Sequence, residues 1–420
     1  MEARLLISLA ALAWCGTPCL GEDPALPWDL DLLKMAPSFR WVEEEAPIRE
    51  LIYESGVSYR DVDTEVFAFY ASPSTVGDGG VDSPYPGVVL IHGGGGTAFA
   101  EWVGLWADRG YAAIAMDLSG RRPPSPDFDP ATGKLLRDNG FERKGRTRLD
   151  RGGPEQGHGE KFTSIGGAVE DDWPWHTVAN VMRAHSLLRS LPEVDAGRIA
   201  VTGISWGGYS TCLVASIDDR FAAAVPVYGC GFLFEGESVQ KKMIDGLEPD
   251  DRRTEWIRRW DPSSHLGRCR VPILFVNGTH DKHYPLDSYR KSYDLVAGTK
   301  AMRIEPQMAH SHRAGWEPRE IGLFIDSHCR EGVPLPVLEE PVVEGTAVQV
   351  PVRSETALRE ATLHFTTDSG LRTERPWREV PLSIEDGRLT GAAPPKGANT
   401  WFATARDERG ALVSTPVLVK

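Results

Sequence analysis

Beyond residue 86 the chain alternates short apolar runs with longer amphipathic ones. Residues 87–91, 111–117, 198–202, 222–227, 271–277 and 301–305 place apolar side chains at consecutive positions, the pattern of strands buried on both faces. Residues 99–109, 172–190, 209–216 and 318–330 repeat their apolar positions at helical spacing. The alternation predicts an α/β architecture: a doubly wound, mostly parallel sheet covered on both faces, with its ligand beyond the carboxyl ends of the strands. Two long stretches interrupt it. Residues 121–167 are polar and rich in Gly, Pro, Arg and Asp, and 231–266 read as a helical lid carrying Met243, Trp256 and Trp260. Both leave from strand ends on the ligand side, where loops shape a pocket. Residues 22–83 read as a leader of turns and short strands, with 66–70 the clearest extended piece.

After about residue 334 the pattern changes. Residues 361–366, 377–382, 399–405 and 411–419 give only strand-like pieces, separated by the turn signals Asp368-Ser369-Gly370, Glu385-Asp386-Gly387 and Glu408-Arg409-Gly410. Ala361, Leu363 and Phe365 alternate with Thr362, His364 and Thr366, a half-buried antiparallel signature. A second unit is therefore expected over 334–420: a small all-β sandwich of immunoglobulin-like type without a core disulfide, either binding glycan or a partner, or packing and stabilising the main α/β domain over 22–333.

At the other end, one arginine, an apolar run from Leu5 to Trp14 and small residues before Gly21 read as a secretory signal peptide over 1–21, too short to span a bilayer. No later stretch is long and apolar enough to cross a membrane, so a secreted or periplasmic protein is expected. Export makes disulfides available to Cys212, Cys230, Cys269 and Cys329, whose spacing fits no zinc motif. Cys269 and Cys329 both fall at the sheet end opposite the ligand side, which suggests a bridge; Cys212 reads as a small buried hydrophobe. The net charge of −14 over 420 residues, with no basic run to offset it, argues against nucleic acid as a partner.

The candidate chemistry sits at three strand ends. Gly203-Ile204-Ser205-Trp206-Gly207 matches G-x-S-x-G between a buried strand and a small-residue helix, the setting that lifts a serine hydroxyl above a sheet. In Asn277-Gly278-Thr279-His280-Asp281 an apolar strand runs into a turn ending in Asp281, placed to accept a histidine Nδ1 proton; Asp287 is a nearby competitor. After the last strand, Met308-Ala309-His310-Ser311-His312 offers two bases, of which His310 lies closer to the strand end. The order Ser205, Asp281, His310 then completes a triad. His92-Gly93-Gly94-Gly95-Gly96 after strand 87–91 is a source of oxyanion donors: Gly94 or Gly95 would join the Trp206 N–H, each donor contributing about 3 kcal/mol to the transition state. As a phosphate loop the run lacks the lysine, hydroxyl and glycine spacing of known types.

These motifs, HGGGG at 92, GISWGG at 203, GTHDKHYP at 278 and MAHSH at 308, resemble the α/β-hydrolase superfamily over roughly 66–330, within it most the secreted esterases of the acetyl xylan esterase, dienelactone hydrolase and prolyl oligopeptidase neighbourhood. The resemblance implies a serine hydrolase that forms an acyl-enzyme on Ser205 without metal or organic cofactor. The leader is far too short for the propeller of prolyl oligopeptidases, and the nucleophile is serine where dienelactone hydrolases usually have cysteine. Export and tryptophans at 173, 175, 206, 256 and 260 favour a small-molecule or polysaccharide ester, such as acetyl or aryl esters on plant polysaccharide. The alternative is an aminopeptidase or acyl-peptide hydrolase, for which Glu170-Asp171-Asp172 could hold an amino terminus. Two further readings are a non-catalytic binding module, which would lack a triad member, and a zinc site from His280, His283, His310 and His312, which no ligand spacing supports.

Overall fold

The computed structural model describes residues 26–77 and 83–420; the signal-peptide reading, with Cys15 and Cys19, lies outside the described residues. Three antiparallel strands come first: β1 (Phe39–Glu43), β2 (Arg49–Tyr59) and β3 (Val62–Ala71). Then come β4 (Tyr85–Ile91), β5 (Ala112–Met116), β6 (Val194–Ile204), β7 (Ala223–Val227), β8 (Ile273–Gly278) and β9 (Lys300–Glu305). These six are mutually parallel in the order β5-β4-β6-β7-β8-β9, and β3 joins antiparallel to β5. Every residue of β4 and β5 is buried, as consecutive apolar positions require of a sheet covered on both sides.

The helices are α1 (Ala100–Asp108), α2 (Trp173–Ser190), α3 (Trp206–Ile217), α4 (Val239–Asp245), α5 (Asp250–Trp260), α6 (Leu286–Leu295), α7 (His312–Trp316) and α8 (Arg319–Cys329). Nearly all of α2 is buried because the leader covers the face the sheet leaves open. Tyr53 Oη donates to Asn180 O at 2.8 Å, and Arg183 Nη1 reaches back to Leu32 O and Met35 O at 2.9 and 2.7 Å.

The C-terminal strands do not stand apart. Five of them extend the main sheet: β10 (Leu358–Thr366), β11 (Arg378–Pro381), β12 (Thr400–Asp407), β13 (Leu412–Ser414) and β14 (Leu418–Val419). Met302 of β9 pairs antiparallel with Ser414 of β13, and the sheet runs on through β12, β10 and β11, fourteen strands in all. A separate five-stranded sheet carries Val348, Val350 and Leu389 into the same apolar cluster as Leu363 and Phe365. The half-buried alternation expected of 361–366 is not observed: His364 and Thr366 are buried too. Phe402, the cross-strand partner of His364, packs with Leu286, Met302, Ile304 and Val417, so the main domain covers the face expected to meet water. Buried Glu320 of α8 fastens the joint, accepting from Leu412 N at 2.7 Å and Arg303 Nε at 3.1 Å.

Two other expectations are corrected. Trp256 and Trp260 present no face to a substrate; both are fully buried. Trp256 stacks on Phe162 at 5.3 Å and donates to Lys161 O, while Trp260 donates to Asp172 Oδ2 at 2.9 Å, so Trp256 pins 231–266 to 121–167 and Trp260 pins it to the start of α2. Met243 alone is exposed. The Cys269–Cys329 bridge is absent, and all four cysteines from Cys212 onward are free. Cys269 precedes β8 near Cys212, whereas Cys329 ends α8 beside Arg198 of β6, two strands away.

Candidate active site

Ser205 sits where β6 hands over to α3, with φ +59° and ψ −114°, a backbone state that side chains rarely occupy. Two contacts hold it there: Ser205 N donates to Val227 O of β7 at 2.8 Å, and Gly207 lies so close to β4 that a Cβ would stand 2.0 Å from Ile91 O. The strain is thus imposed by backbone packing on both flanks. Gly93 is the neighbour on the β4 side, where a Cβ would lie 3.1 Å from Ser205 Cβ.

From β8 and β9 come the acid and the base. Asp281 is buried; its Oδ1 accepts from His283 N and Tyr284 N at 2.7 and 3.0 Å, which fixes the carboxylate and leaves Oδ2 for His310 Nδ1 at 2.6 Å. The His310 ring stacks on Tyr228 at 4.5 Å, and Tyr228 Oη donates to Ala309 O at 2.5 Å, so the loop holding the histidine is itself held. Asp287, the competing acid, pairs with Arg372 instead.

His312 goes elsewhere. Its Nε2 accepts from Gly93 N at 2.9 Å, and burial, helped by the neighbouring imidazoles of His92 and His310 and by the Arg146 guanidinium, lowers its pKa to about 3. It is a neutral brace on the HGGGG loop. His92 braces the other side: Nδ1 donates to Gly93 O at 2.8 Å and Nε2 accepts from Leu118 N at 2.9 Å, with burial lowering its pKa. Of the other two histidines of the quartet, His280 turns away, its Nδ1 meeting Thr279 Oγ1 and its Nε2 Arg375 O, while His283 lies ring to ring with His310 at 4.8 Å.

The glycine run divides. Gly93 N serves His312, Gly96 N serves Gly93 O at 3.0 Å, and Gly95 N donates to Gln156 Oε1 at 3.1 Å, which takes Gly95 away from the expected donor pair. Among the described residues Gly94 N makes no hydrogen bond, and Gly94 packs so tightly on the Trp206 ring that a Cβ would fall 2.9 Å from Cδ1. Trp206 N, the first amide of α3, has no intrahelical carbonyl to serve.

Several contributors carried no sequence signal. Gln156, Arg143 and Arg146 sit in the irregular 121–167 segment, and nothing in their spacing announces that they meet the HGGGG loop. Tyr284 has a fully buried hydroxyl beside the Ser205 side chain, without a hydrogen-bond partner of good geometry among the described residues. The acidic trio Glu170-Asp171-Asp172 is not a feature of this site. Asp172 is buried and bonded to Ser164 and Trp260, while Glu170 and Asp171 line a cavity of about 700 Å³ with Trp28, Arg60 and Trp175, which neither Ser205, Asp281 nor His310 borders.

Comparison with known proteins gives a consistent setting. The sequence pattern of the prolyl oligopeptidase family matches residues 150–318. An uncharacterized peptidase, YuxL, of Bacillus subtilis (strain 168) is 23% identical over 278 residues, covering 59% of this chain and 35% of that protein. The chain thus spans about a third of the length of that relative. Among solved structures, acetyl xylan esterase from Paenibacillus sp. R4 superposes with TM-score 0.52 at 20% identity, covering 73% of this chain and 97% of that one. Acetyl xylan esterase 1 from Thermoanaerobacterium sp. JW/SL YS485 gives 0.50 at 17%, covering 73% and 94%. At these identities the likeness is one of fold.

Proposed function

We propose that this chain, which belongs to the α/β-hydrolase superfamily, is an exported serine hydrolase cleaving carboxylic esters through an acyl-enzyme, with acyl groups on polysaccharide as its substrate class. The observation that carries the reading is the 2.6 Å contact between Asp281 and His310 on the loops flanking a serine held at φ +59°. In this mechanism Ser205 Oγ attacks the ester carbonyl carbon while His310 Nε2 takes its proton; Asp281, bonded to Nδ1, fixes the tautomer and stabilises the imidazolium. Gly94 N and Trp206 N receive the oxyanion, and Gly95 is not part of the pair. Collapse of the tetrahedral adduct returns the proton to the departing alcohol, and water then repeats the sequence on the acyl-enzyme. His312 acts on this chemistry only through Gly93.

The peptidase reading is favoured by the prolyl oligopeptidase match and the peptidase relative. Against it, Glu170 and Asp171 belong to a different cavity and cannot receive an amino terminus beside Ser205. Residues 334–420 we read as an appendage that stabilises the hydrolase sheet rather than as a glycan binder. The test offers acetylated xylan, a feruloylated oligosaccharide and aminoacyl anilides in parallel to wild-type and Ser205→Ala protein. Acid release from the sugar esters, lost in the variant by about a thousandfold or more, is the expected outcome; aniline release alone makes the protein a peptidase, and full activity in the variant removes Ser205 from the mechanism.

A further inference from the structure

The carboxyl ends of β4 and β5 enclose a cavity of about 320 Å³ whose lining includes Gly95, Arg121, Arg143, Arg146, Glu155 and Gln156. Gly93, two residues from that wall, touches Ser205, so the cavity opens one strand over from the nucleophile. Its three guanidinium groups are not equivalent. Arg121 is neutralised by Glu155 in a forked pair, with contacts of 3.1, 3.2 and 2.7 Å. Among the described residues Arg146 forms no ion pair: Nη1 donates to Gly95 O and Gly96 O at 3.1 and 2.8 Å, Nη2 to Gly140 O at 2.6 Å, and its buried Nε finds no partner there. Arg143 is exposed, lies across Gly95 where a Cβ would stand 2.3 Å from Nη2, and has no hydrogen bond or ion pair among the described residues. Arg143 is thus unpaired among the described residues, and Arg146, held by carbonyls, feels Asp117 and Asp138 only through space, on a chain whose net charge is −14. Guanidinium forks match the planar or tetrahedral oxygens of oxyacid anions, and backbone carbonyls orient Arg146 without cancelling its charge.

We propose that this cavity binds an anionic oxyacid group, a carboxylate or a sulfate, carried by the ester substrate, so that the enzyme selects acylated acidic sugars over neutral ones. The inference rests on the esterase reading above and names the substrate class for the same site. Arg143 supplies the mobile half of the clamp and Arg146 the fixed half.

Initial rates on acetylated glucose, acetylated glucuronic acid and acetylated glucose 6-sulfate at low ionic strength test it. One or both charged esters should exceed the neutral one by about tenfold in kcat/KM, mainly through KM, with the preferred one telling carboxylate from sulfate. Arg143→Gln should cut that ratio severalfold, and about 0.5 M salt should compress it in the wild type. Equal kcat/KM on all three, or a ratio that survives Arg143→Gln, overturns the anion cavity and leaves the esterase reading standing. If none of the three is hydrolysed, the esterase reading is decided by acetylated xylan and the feruloylated oligosaccharide, and titration of glucuronate and glucose 6-sulfate decides the cavity alone. Binding to wild type that Arg143→Gln weakens severalfold supports it; no binding, or equal binding, overturns it.

Discussion

The nucleophile elbow and the 121–167 insertion flank the HGGGG loop from opposite sides and are held by different means. At the elbow, backbone presses on backbone: Gly207 against Ile91 O, and Ser205 N on Val227 O. The insertion is held instead by side chains on backbone carbonyls: Arg148 Nη1 to Ser119 O at 2.8 Å and Nη2 to Gly152 O at 2.6 Å, and, from α5, Arg252 Nε to Ile165 O and Trp256 Nε1 to Lys161 O, both at 2.7 Å. A site built the first way tolerates almost no change of residue at its glycines. One built the second way can exchange its lining while the chemistry beside it stays fixed, and that is where substrate choice is expected to reside.

The sharpest way to break the comparison is at the triad. His310→Asn should lower kcat/KM on an activated ester by about a thousandfold or more, as Ser205→Ala does, because either change removes the proton-transfer unit. An effect of tenfold or less would show that the elbow geometry does not carry the reaction. The next effect is on the fold. Burial lowers the pKa of His176 and His185 to about 4, the latter against the pull of Asp218, and that of His312 to about 3. Unfolded, each takes up its proton near pH 6.5, so between about pH 6.5 and 4 the unfolded chain binds more protons than the folded one. Stability should be full above that window and fall as the pH drops through it. Thermal unfolding at pH 7 and 4.5 measures this, and a melting temperature equal at both would contradict it. His312→Asn, which keeps an acceptor for Gly93 N, should flatten part of that dependence and cost about tenfold or less in rate. A loss as large as that of His310→Asn would make His312 the base. Smallest is Arg148→Gln, expected to destabilise by about 1–2 kcal/mol while sparing hydrolysis of a small activated ester. A large loss on that ester would mean that insertion and elbow are coupled.

How much was legible from residues follows the same division. The elbow, the Asp281 turn and the His310 loop are local patterns, a few residues beside a strand end, and the six parallel strands announced themselves as apolar runs. The order of preference between His310 and His312 was legible from strand distance; the reason His312 is unsuitable, its bond to Gly93 N, is a contact over 219 positions that no spacing shows. The supports of the insertion are likewise long-range. Trp256 and Trp260 looked like pocket aromatics because their partners, Lys161 and Asp172, lie 95 and 88 residues away. The turn signals after 334 marked strands but could not say which sheet they join, since the decisive pairing is the single register contact between Met302 and Ser414.

That pairing has a cost for any attempt to shorten the protein. Without β13, the outer ladder of β9 would face solvent with its amides and carbonyls unpaired, next to the apolar surface of Met302 and Ile304 that Phe402 and Val417 now cover. A bare edge beside a sticky face recruits strands from other molecules. Trimming at residue 333 should therefore yield aggregates or swapped oligomers, with the catalytic loops intact in outline and the protein lost from solution.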